Sequence, residues 1–124
     1  MTVNGAGCEE DAAVLARSVA GSSLVKAACF GADANWGRVL CAMGYAGVPF
    51  NPEETSVEFV SSAGSVLVCK NGESLPFPES LAKQILLEEE IEIRIIAGKG
   101  KGGASAWGCD LSYDYVKING DYRS

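Results

Sequence analysis

Thr2 is the residue of this 124-residue chain whose position most directly suggests chemistry. Removal of Met1 would place the threonine hydroxyl beside a free α-amine, and that amine can act as the general base for its own nucleophile. Threonine after an initiating methionine is also frequent in proteins that have no catalytic threonine. The sequence by itself therefore favours a structural role for Thr2 and leaves the nucleophile as the alternative.

The chain contains no histidine, which excludes Ser-His-Asp triads, Cys-His dyads and histidine metal sites within these residues. The cysteines are odd in number and lack C-x-x-C spacing. Buried free thiols in a reducing compartment are the expected state of all or most of these five: Cys8, Cys29, Cys41, Cys69 and Cys109. We therefore expect neither a bound metal nor a cofactor.

Two other runs have chemically useful residue types. "GKGKGG" (residues 98–103) could cradle an anion, but it lacks the G-x-x-x-x-G-K-[ST] spacing and precedes a strand. It is expected to be a flexible hairpin connection. Carboxylates that could pair for acid–base chemistry occur in one run: Glu88, Glu89, Glu90 and Glu92. No apolar enclosure is evident that would raise their pKa values, so a solvated face is expected.

Composition places the chain among single globular domains. It has 48% hydrophobic and 21% charged residues, typical of a packed core with a polar surface. Its net charge of −6 would repel phosphate backbones and anionic lipid, so neither nucleic acid nor membrane is an expected partner. With no apolar run of bilayer length and no signal-like start, a cytoplasmic protein is expected.

The first half of the chain reads mainly as helices. "MTVNG" could form a short edge strand, and the acidic residues from Glu9 onward begin a helix that stops at Gly21. "SSLVKAACF" is short enough for a buried strand, but its apolar spacing favours a helix. Asp33 is expected to cap a third helix, whose apolar stripe begins at Trp36.

The second half reads mainly as strands. "TSVEFV", "SVLVCK" and the alternating "EIEIRII" are predicted strands, with Asn71-Gly72 as a hairpin turn. "FPESLAKQILLEEE" is a predicted helix, and "ASAWGCDLSYDYVKI" is predicted as one long strand or two strands broken near Gly108. The pattern predicts an α+β fold of two layers, with helices packed on a mixed or mainly antiparallel sheet.

Polar side chains crowd the C-terminal segment "YDYVKINGDYRS", where a frayed tail would otherwise be expected. They are Asn119, Asp121, Tyr122, Arg123 and Ser124. The crowding makes this segment a candidate polar site.

Two long segments carry a family resemblance. "SSLVKAACFGADANWGRVLCAMGYAG" and "AWGCDLSYDYVKINGDYRS" resemble the C-terminal part of the bifunctional ornithine acetyltransferases, also called glutamate N-acetyltransferases, of arginine biosynthesis. In that family a much longer precursor cleaves itself before a threonine, which then carries an acetyl group from N-acetylornithine to glutamate. The resemblance implies an α/β sandwich, with the whole chain, residues 1–124, as one C-terminal domain.

The resemblance also implies a division of labour. The family's nucleophile, oxyanion-hole threonines, and substrate-contacting lysine and glutamate match no residue here, because they lie upstream in the family pattern. Thr2 matches an interior strand rather than the cleavage point. The family's substrate-binding asparagine and terminal hydroxyl residue match Asn119 and Ser124. The isolated chain is therefore expected to bind part of the substrate and to be catalytically inactive.

The expected partners are the two substrates, the upstream part of the same enzyme and further subunits of an oligomer. Trp36 is expected to be a packing anchor, and Arg38 to pair with a carboxylate of this chain or of the upstream part. The alternative from another class is a non-catalytic interaction or assembly module.

Overall fold

The computed structural model describes residues 1–121, apart from the side chains of Tyr115, Asn119 and Asp121. Within this part of the chain one sheet contains β1 Thr2–Ala6, β2 Ser56–Ser61, β3 Gly64–Lys70, β4 Glu73–Ser74, β5 Glu92–Ile96 and β6 Gly102–Ser105. The helices are α1 Glu9–Ala20, α2 Ser23–Phe30, α3 Trp36–Gly44, α4 Glu79–Leu86 and α5 Tyr113–Asp121, with a 3₁₀ turn at Pro52–Glu54. These elements confirm the α+β prediction. The segment "SSLVKAACF", for which a helix was favoured over a buried strand, forms the helix α2.

The sheet is mixed and mainly antiparallel, in the order β4-β3-β2-β5-β1-β6. β1 runs parallel to β5, with Val3 opposite Ile95, and antiparallel to β6, with Val3 opposite Ala104. The prediction of an edge strand for "MTVNG" was therefore wrong. A strand's own residues do not specify how many neighbours it has, and here β6 covers the edge that β1 would have left open.

One face of the sheet carries the core. The inward residues of the central strands are at most 2% exposed: Val3, Val57, Phe59, Ile93 and Ile95. α1 packs over β1 and β6, and α4 packs over β2 and β3. The predicted alternation of "EIEIRII" is confirmed for β5, where Ile93 and Ile95 point inward while Arg94 is exposed.

Side-chain caps mark the starts of α1 and α3. Cys8 precedes α1, and its sulfur accepts the backbone N–H of Asp11 at 3.5 Å. The prediction that Asp33 caps the third helix was wrong. α3 begins at Trp36, so the N-cap position falls on Asn35, whose Oδ1 accepts the Arg38 N–H at 3.1 Å. Asp33 instead accepts a hydrogen bond from the Asn35 amide at 3.2 Å.

The C-terminal segment departs from its predicted strand structure. β6 ends at Ser105, residues 106–112 follow without regular structure, and α5 begins at Tyr113. Ala106 N–H donates to Met1 O, and beyond this residue the backbone leaves the sheet. Leu111 N–H then donates to Lys26 O of α2. The β-prone residues of this segment therefore have no adjacent strand to pair with, and the contact with α2 overrides the local preference.

The glycine-lysine run is a crossover and not the predicted hairpin connection, because β5 and β6 lie on opposite sides of β1. A Cβ atom at Gly100 would collide with the carbonyl of Ala6, and one at Gly102 with the carbonyl of Cys8. The glycines are required because the crossing backbone passes directly against the chain that joins β1 to α1.

The predicted Asn71-Gly72 turn is confirmed. Both residues have positive φ, 53° and 74°, as a two-residue type I′ connection between β3 and β4 requires. A Cβ atom at Gly72 would also lie 2.5 Å from the carbonyl oxygen of Pro52.

No single helix within the described residues is long and apolar enough to span a membrane. α1 and α2 meet those criteria of length and composition as a pair, bent by 56°.

We expect Gly72→Ala to lower the free energy of unfolding by more than about 1–2 kcal/mol, because alanine strains the left-handed backbone and also contacts Pro52. Gly44→Ala is the matched control, because Gly44 ends α3 with open space around its Cβ position. Urea unfolding monitored by circular dichroism measures both. Equal unfolding midpoints for the two variants would contradict the required positive φ.

Candidate functional site

A cavity of about 910 Å³ opens at one edge of the sheet. It lies where β1 and β5 begin and where β2 and β6 end. The geometry follows from the pairing: parallel β1 and β5 start at the same edge, and their antiparallel neighbours end there. Its walls include Thr2, Ser61 and Ser105, together with the acidic residues Glu88 and Glu92.

Thr2 and Glu92 are joined in this cavity. The Thr2 hydroxyl donates to Glu92 Oε2 at 2.8 Å, and Arg94 Nε donates to Glu92 Oε1 at 2.9 Å. The hydrogen bond from Thr2 is the largest cause that holds the pKa of Glu92 below its ordinary value of 4.5, followed among the lowering causes by the bond from Arg94. Glu92 is therefore an ionised acceptor at neutral pH and is unsuited to act as a general acid.

The rest of the acidic run behaves as predicted. Glu88, Glu89 and Glu90 are exposed in the turn between α4 and β5, which confirms the solvated face. Glu92 differs from them because it lies in β5, two residues before Arg94, which is the residue opposite Thr2 in the pairing with β1. Sequence spacing could show that Glu92 points away from the core, but its partner Thr2 is 90 residues away along the chain.

An apolar groove of about 510 Å³ adjoins the cavity, between α2, the end of α4 and residues 107–110. Its floor includes Val25, Leu86 and Ile93, which are at most 3% exposed. Phe30 and Trp107 stand at its border, and Trp107 is 88% exposed. The groove thus places buried apolar side chains beside a large exposed aromatic ring.

The cysteines do not form a nucleophilic site. Burial, with a smaller contribution from Asp110, raises the pKa of the Cys29 thiol in the groove to about 11, so this thiol stays protonated at neutral pH. Cys69 is buried, whereas the prediction of burial was wrong for three others, which are exposed: Cys8, Cys41 and Cys109. They lie at helix surfaces and in the connecting segment, where apolar neighbours in the sequence do not face the core.

Metal ligation has no visible basis in residues 1–121, where no group of three or more cysteines and carboxylates is close enough to hold an ion. Two carboxylates of the sheet instead link neighbouring strands. Glu92 of β5 contacts Thr2 of β1, and Glu58 of β2 forms an ion pair with Arg94 of β5 at 3.7 Å.

The two predicted substrate-binding residues lie in and beyond α5. Asn119 belongs to that helix, and its side chain is outside the description. Ser124 lies outside the described residues. α5 starts beside the groove, because the Tyr113 ring meets Phe30 edge-to-face, with centroids 5.2 Å apart and planes at 89°. Sequence reasoning missed this aromatic pair, since no local pattern relates residues so far apart.

Trp36 and Arg38 occupy structural positions. Trp36 is partly buried against the core, as expected for a packing anchor. Arg38 Nη1 donates to the carbonyl of Leu24 at 3.0 Å. Within the described residues its partner is thus a backbone carbonyl in the first turn of α2 and not a carboxylate of this chain. Pairing with a carboxylate of the upstream part stays a prediction.

Comparison with known proteins relates the whole chain to one family. Residues 1–124 match the ArgJ family. The arginine biosynthesis bifunctional protein ArgJ of Caldanaerobacter subterraneus subsp. tengcongensis is 51% identical over 116 residues, covering 94% of this chain and 29% of the relative. The glutamate N-acetyltransferase of Methanothermobacter thermautotrophicus is 48% identical over 123 residues, covering 96% of this chain and 31% of the relative.

A solved structure supports the same relation. The crystal structure of the arginine biosynthesis bifunctional protein ArgJ from Bacillus halodurans aligns with a TM-score of 0.89 at 39% identity. The alignment covers 98% of this chain and 55% of that one. The chain therefore spans about a third of the length of these curated relatives and just over half of the solved polypeptide.

We expect Thr2→Val to lower the free energy of unfolding at pH 7 by up to about 1 kcal/mol, because the Glu92 side chain is 36% exposed and solvent weakens the lost hydrogen bond. The folded-state pKa is lowered, so this stabilisation is present above pH 4.5 and is lost as the pH falls through the folded-state pKa of Glu92.

Urea unfolding at pH 7 and in acid measures that dependence, with Ser105→Ala as control. Ser105 is 3.4 Å from the Thr2 hydroxyl but is not among the causes of the lowered Glu92 pKa. A Thr2→Val deficit that stayed constant across this pH range would show that the hydroxyl does not act through the Glu92 carboxylate.

Proposed function

Because the chain belongs to the ArgJ family, we propose that it is the C-terminal region of an N-acetyltransferase of arginine biosynthesis. The enzyme moves an acetyl group from N-acetylornithine to glutamate through an acetyl-threonine intermediate. The observation that carries this proposal is the family match over residues 1–124, at 48–51% identity to the two relatives named above. Residues 1–124 form a single domain of that enzyme.

The attacking threonine and the oxyanion-stabilising groups belong to the upstream part of the enzyme, where self-cleavage of a longer precursor frees the threonine. The local chemistry of this chain supports that assignment. Thr2 lies in β1, an interior strand of the sheet, and its hydroxyl donates a hydrogen bond to Glu92. The Cys29 thiol is protonated at neutral pH. An acyl-transfer nucleophile needs an effective adjacent base or a lowered pKa, whereas the lowered pKa of Glu92 makes it a weak base for Thr2, and burial raises the pKa of the Cys29 thiol. The isolated chain is therefore inactive.

This chain supplies Asn119 and Ser124 to hold the polar groups of the amino-acid substrate. An amide both donates and accepts hydrogen bonds and a hydroxyl does the same, which suits a substrate that carries ammonium and carboxylate groups. Specificity follows because a substrate lacking those groups would leave the site's polar atoms unpaired, at a cost of about 1–3 kcal/mol for each buried group.

The surface of the chain supports assembly with further polypeptide, both the upstream part and other subunits. Large apolar side chains are strongly exposed at Trp107 (88%), Leu87 (66%) and Tyr45 (63%). Trp107 and Leu87 both line the apolar groove, and contiguous exposed apolar surface marks contact surfaces in soluble proteins. The same observation favours the second candidate, a non-catalytic assembly module. The exposed free thiols suit a reducing compartment, and we place the protein in the cytoplasm.

In the enzyme assembled with its upstream part, we expect Asn119→Ala to raise the KM for glutamate and for N-acetylornithine by about 5- to 150-fold, the equivalent of one lost buried hydrogen-bond partner. Ser124→Ala is expected to act in the same direction. Steady-state kinetics with each substrate varied in turn measures the effect.

Lys117→Ala is the matched control, because Lys117 is exposed in the same helix as Asn119. Equal KM values for the Asn119→Ala and Lys117→Ala enzymes would contradict the substrate-binding assignment. An acetyl adduct formed by the isolated 124-residue chain, detected by mass spectrometry, would contradict the assignment of the nucleophile to the upstream part.

A further inference from the structure

α5 has little burial of its own to hold it in place. The helix is nine residues long, and every side chain of it that the structure describes is exposed. Tyr113 is 82% exposed, Ile118 is 68% exposed and Val116 is 57% exposed. An isolated helix of this length is marginal in water, so its position depends on the contacts that attach it to the rest of the chain.

Two contacts attach the start of α5 to α2. The rings of Phe30 and Tyr113 meet edge-to-face, with centroids 5.2 Å apart. Just before the helix, Leu111 N–H donates to the Lys26 carbonyl at 3.3 Å. The two contacts fall at Lys26 in the middle of α2 and at Phe30, its last residue, so they hold the entry of α5 along the second half of that helix.

α2 is a fixed support for these contacts. Val25 and Ala28 are at most 5% exposed, so the opposite face of α2 is embedded in the core. The Ser22 hydroxyl accepts the Val25 N–H at 3.3 Å and caps the helix, while Arg38 of α3 donates to the Leu24 carbonyl. A contact made to α2 is therefore a contact made to the folded domain.

We propose that Phe30 and Tyr113 are positioning residues, whose ring contact holds α5 so that Asn119 in that helix can bind the amino-acid substrate. The inference rests on the proposed function, because it assigns a purpose to the placement of Asn119. Asn119 follows Tyr113 by six residues, a helical distance of about 9 Å. Without the ring contact at Tyr113, α5 would lose a contact that fixes its first turn, and Asn119 would move with the helix.

The size of the effect follows from the strength of the ring contact. An edge-to-face pair contributes a factor of roughly 2 to 12 to an equilibrium beyond its burial. When the competent position of α5 becomes less populated, the apparent substrate affinity falls in proportion to that population, by up to the same factor. The chemistry after binding is unchanged, because the nucleophile belongs to another part of the enzyme.

The test is steady-state kinetics of the assembled enzyme carrying Phe30→Ala or Tyr113→Ala. Each variant is expected to raise the KM for both substrates by up to about 12-fold, with kcat changed by less than about twofold. Tyr113→Phe keeps the ring and is expected to restore the original KM. Val116→Ala, an exposed apolar residue of the same helix, is the matched control and is expected to leave KM unchanged.

Hydrogen exchange of the 124-residue chain gives a second readout that does not depend on activity. Tyr113→Ala is expected to speed exchange of the α5 amides and to leave the α1 amides unchanged, because Tyr113 lies outside the core. Since Tyr113 is 82% exposed, its truncation leaves the folded domain intact even where Phe30→Ala does not.

An unchanged KM in Tyr113→Ala, or a Tyr113→Phe enzyme as impaired as Tyr113→Ala, would overturn the inference. If Asn119→Ala raises KM while Tyr113→Ala does not, the positioning role fails and the proposed function stands. If neither variant changes KM, both fail.

Discussion

The parallel pairing of β1 with β5 is the constraint on which the arrangement of the chain depends. It joins residues about 90 positions apart, placing Val3 opposite Ile95 and Thr2 opposite Arg94. Val3 and Ile95 are both fully buried, so the same pairing forms the middle of the core under α1. Because the two strands run in the same direction, their first residues meet at one edge, and the Thr2 hydroxyl reaches the Glu92 carboxylate there.

The crossover between β5 and β6 follows from that pairing. Since β1 occupies the position beside β5, the chain must pass the end of β1 before it can return as β6. The passage lies against the backbone of Ala6 and Cys8, where only glycine leaves enough room at Gly100 and Gly102. Lys99 reaches Glu54 at 3.9 Å, an exposed pair that adds little stability. The glycine-lysine run is thereby explained by backbone packing.

The described part of the domain contains no activated nucleophile, but it holds the start of α5 against α2. Thr2 and Cys29 could act as nucleophiles by residue type, but the Thr2 hydroxyl donates to a carboxylate of lowered pKa, and burial keeps the Cys29 thiol protonated. The domain offers instead a support, α2, to which the start of α5 is attached by the contact of Phe30 with Tyr113 and by the hydrogen bond from Leu111 to Lys26. A division in which one region performs the chemistry and another orients the substrate requires such an attachment, because misplacement of a binding group costs affinity.

The sequence by itself determined the elements whose signals are local. The acidic start of α1, the alternation in β5 and the Asn71-Gly72 turn each depend on residues within a few positions of one another, and all three formed as predicted. The sequence also named Asn119 and Ser124, through a family resemblance rather than through any geometry. The tertiary structure alone decided the interior position of β1, the Asn35 cap and the Thr2–Glu92 hydrogen bond. It also decided that the β-prone residues of α5 form a helix, because the chain before them leaves the sheet and contacts α2. Those outcomes depend on partners distant in the chain or on where a helix starts, and local preference carries no information about which distant backbone will be available to pair.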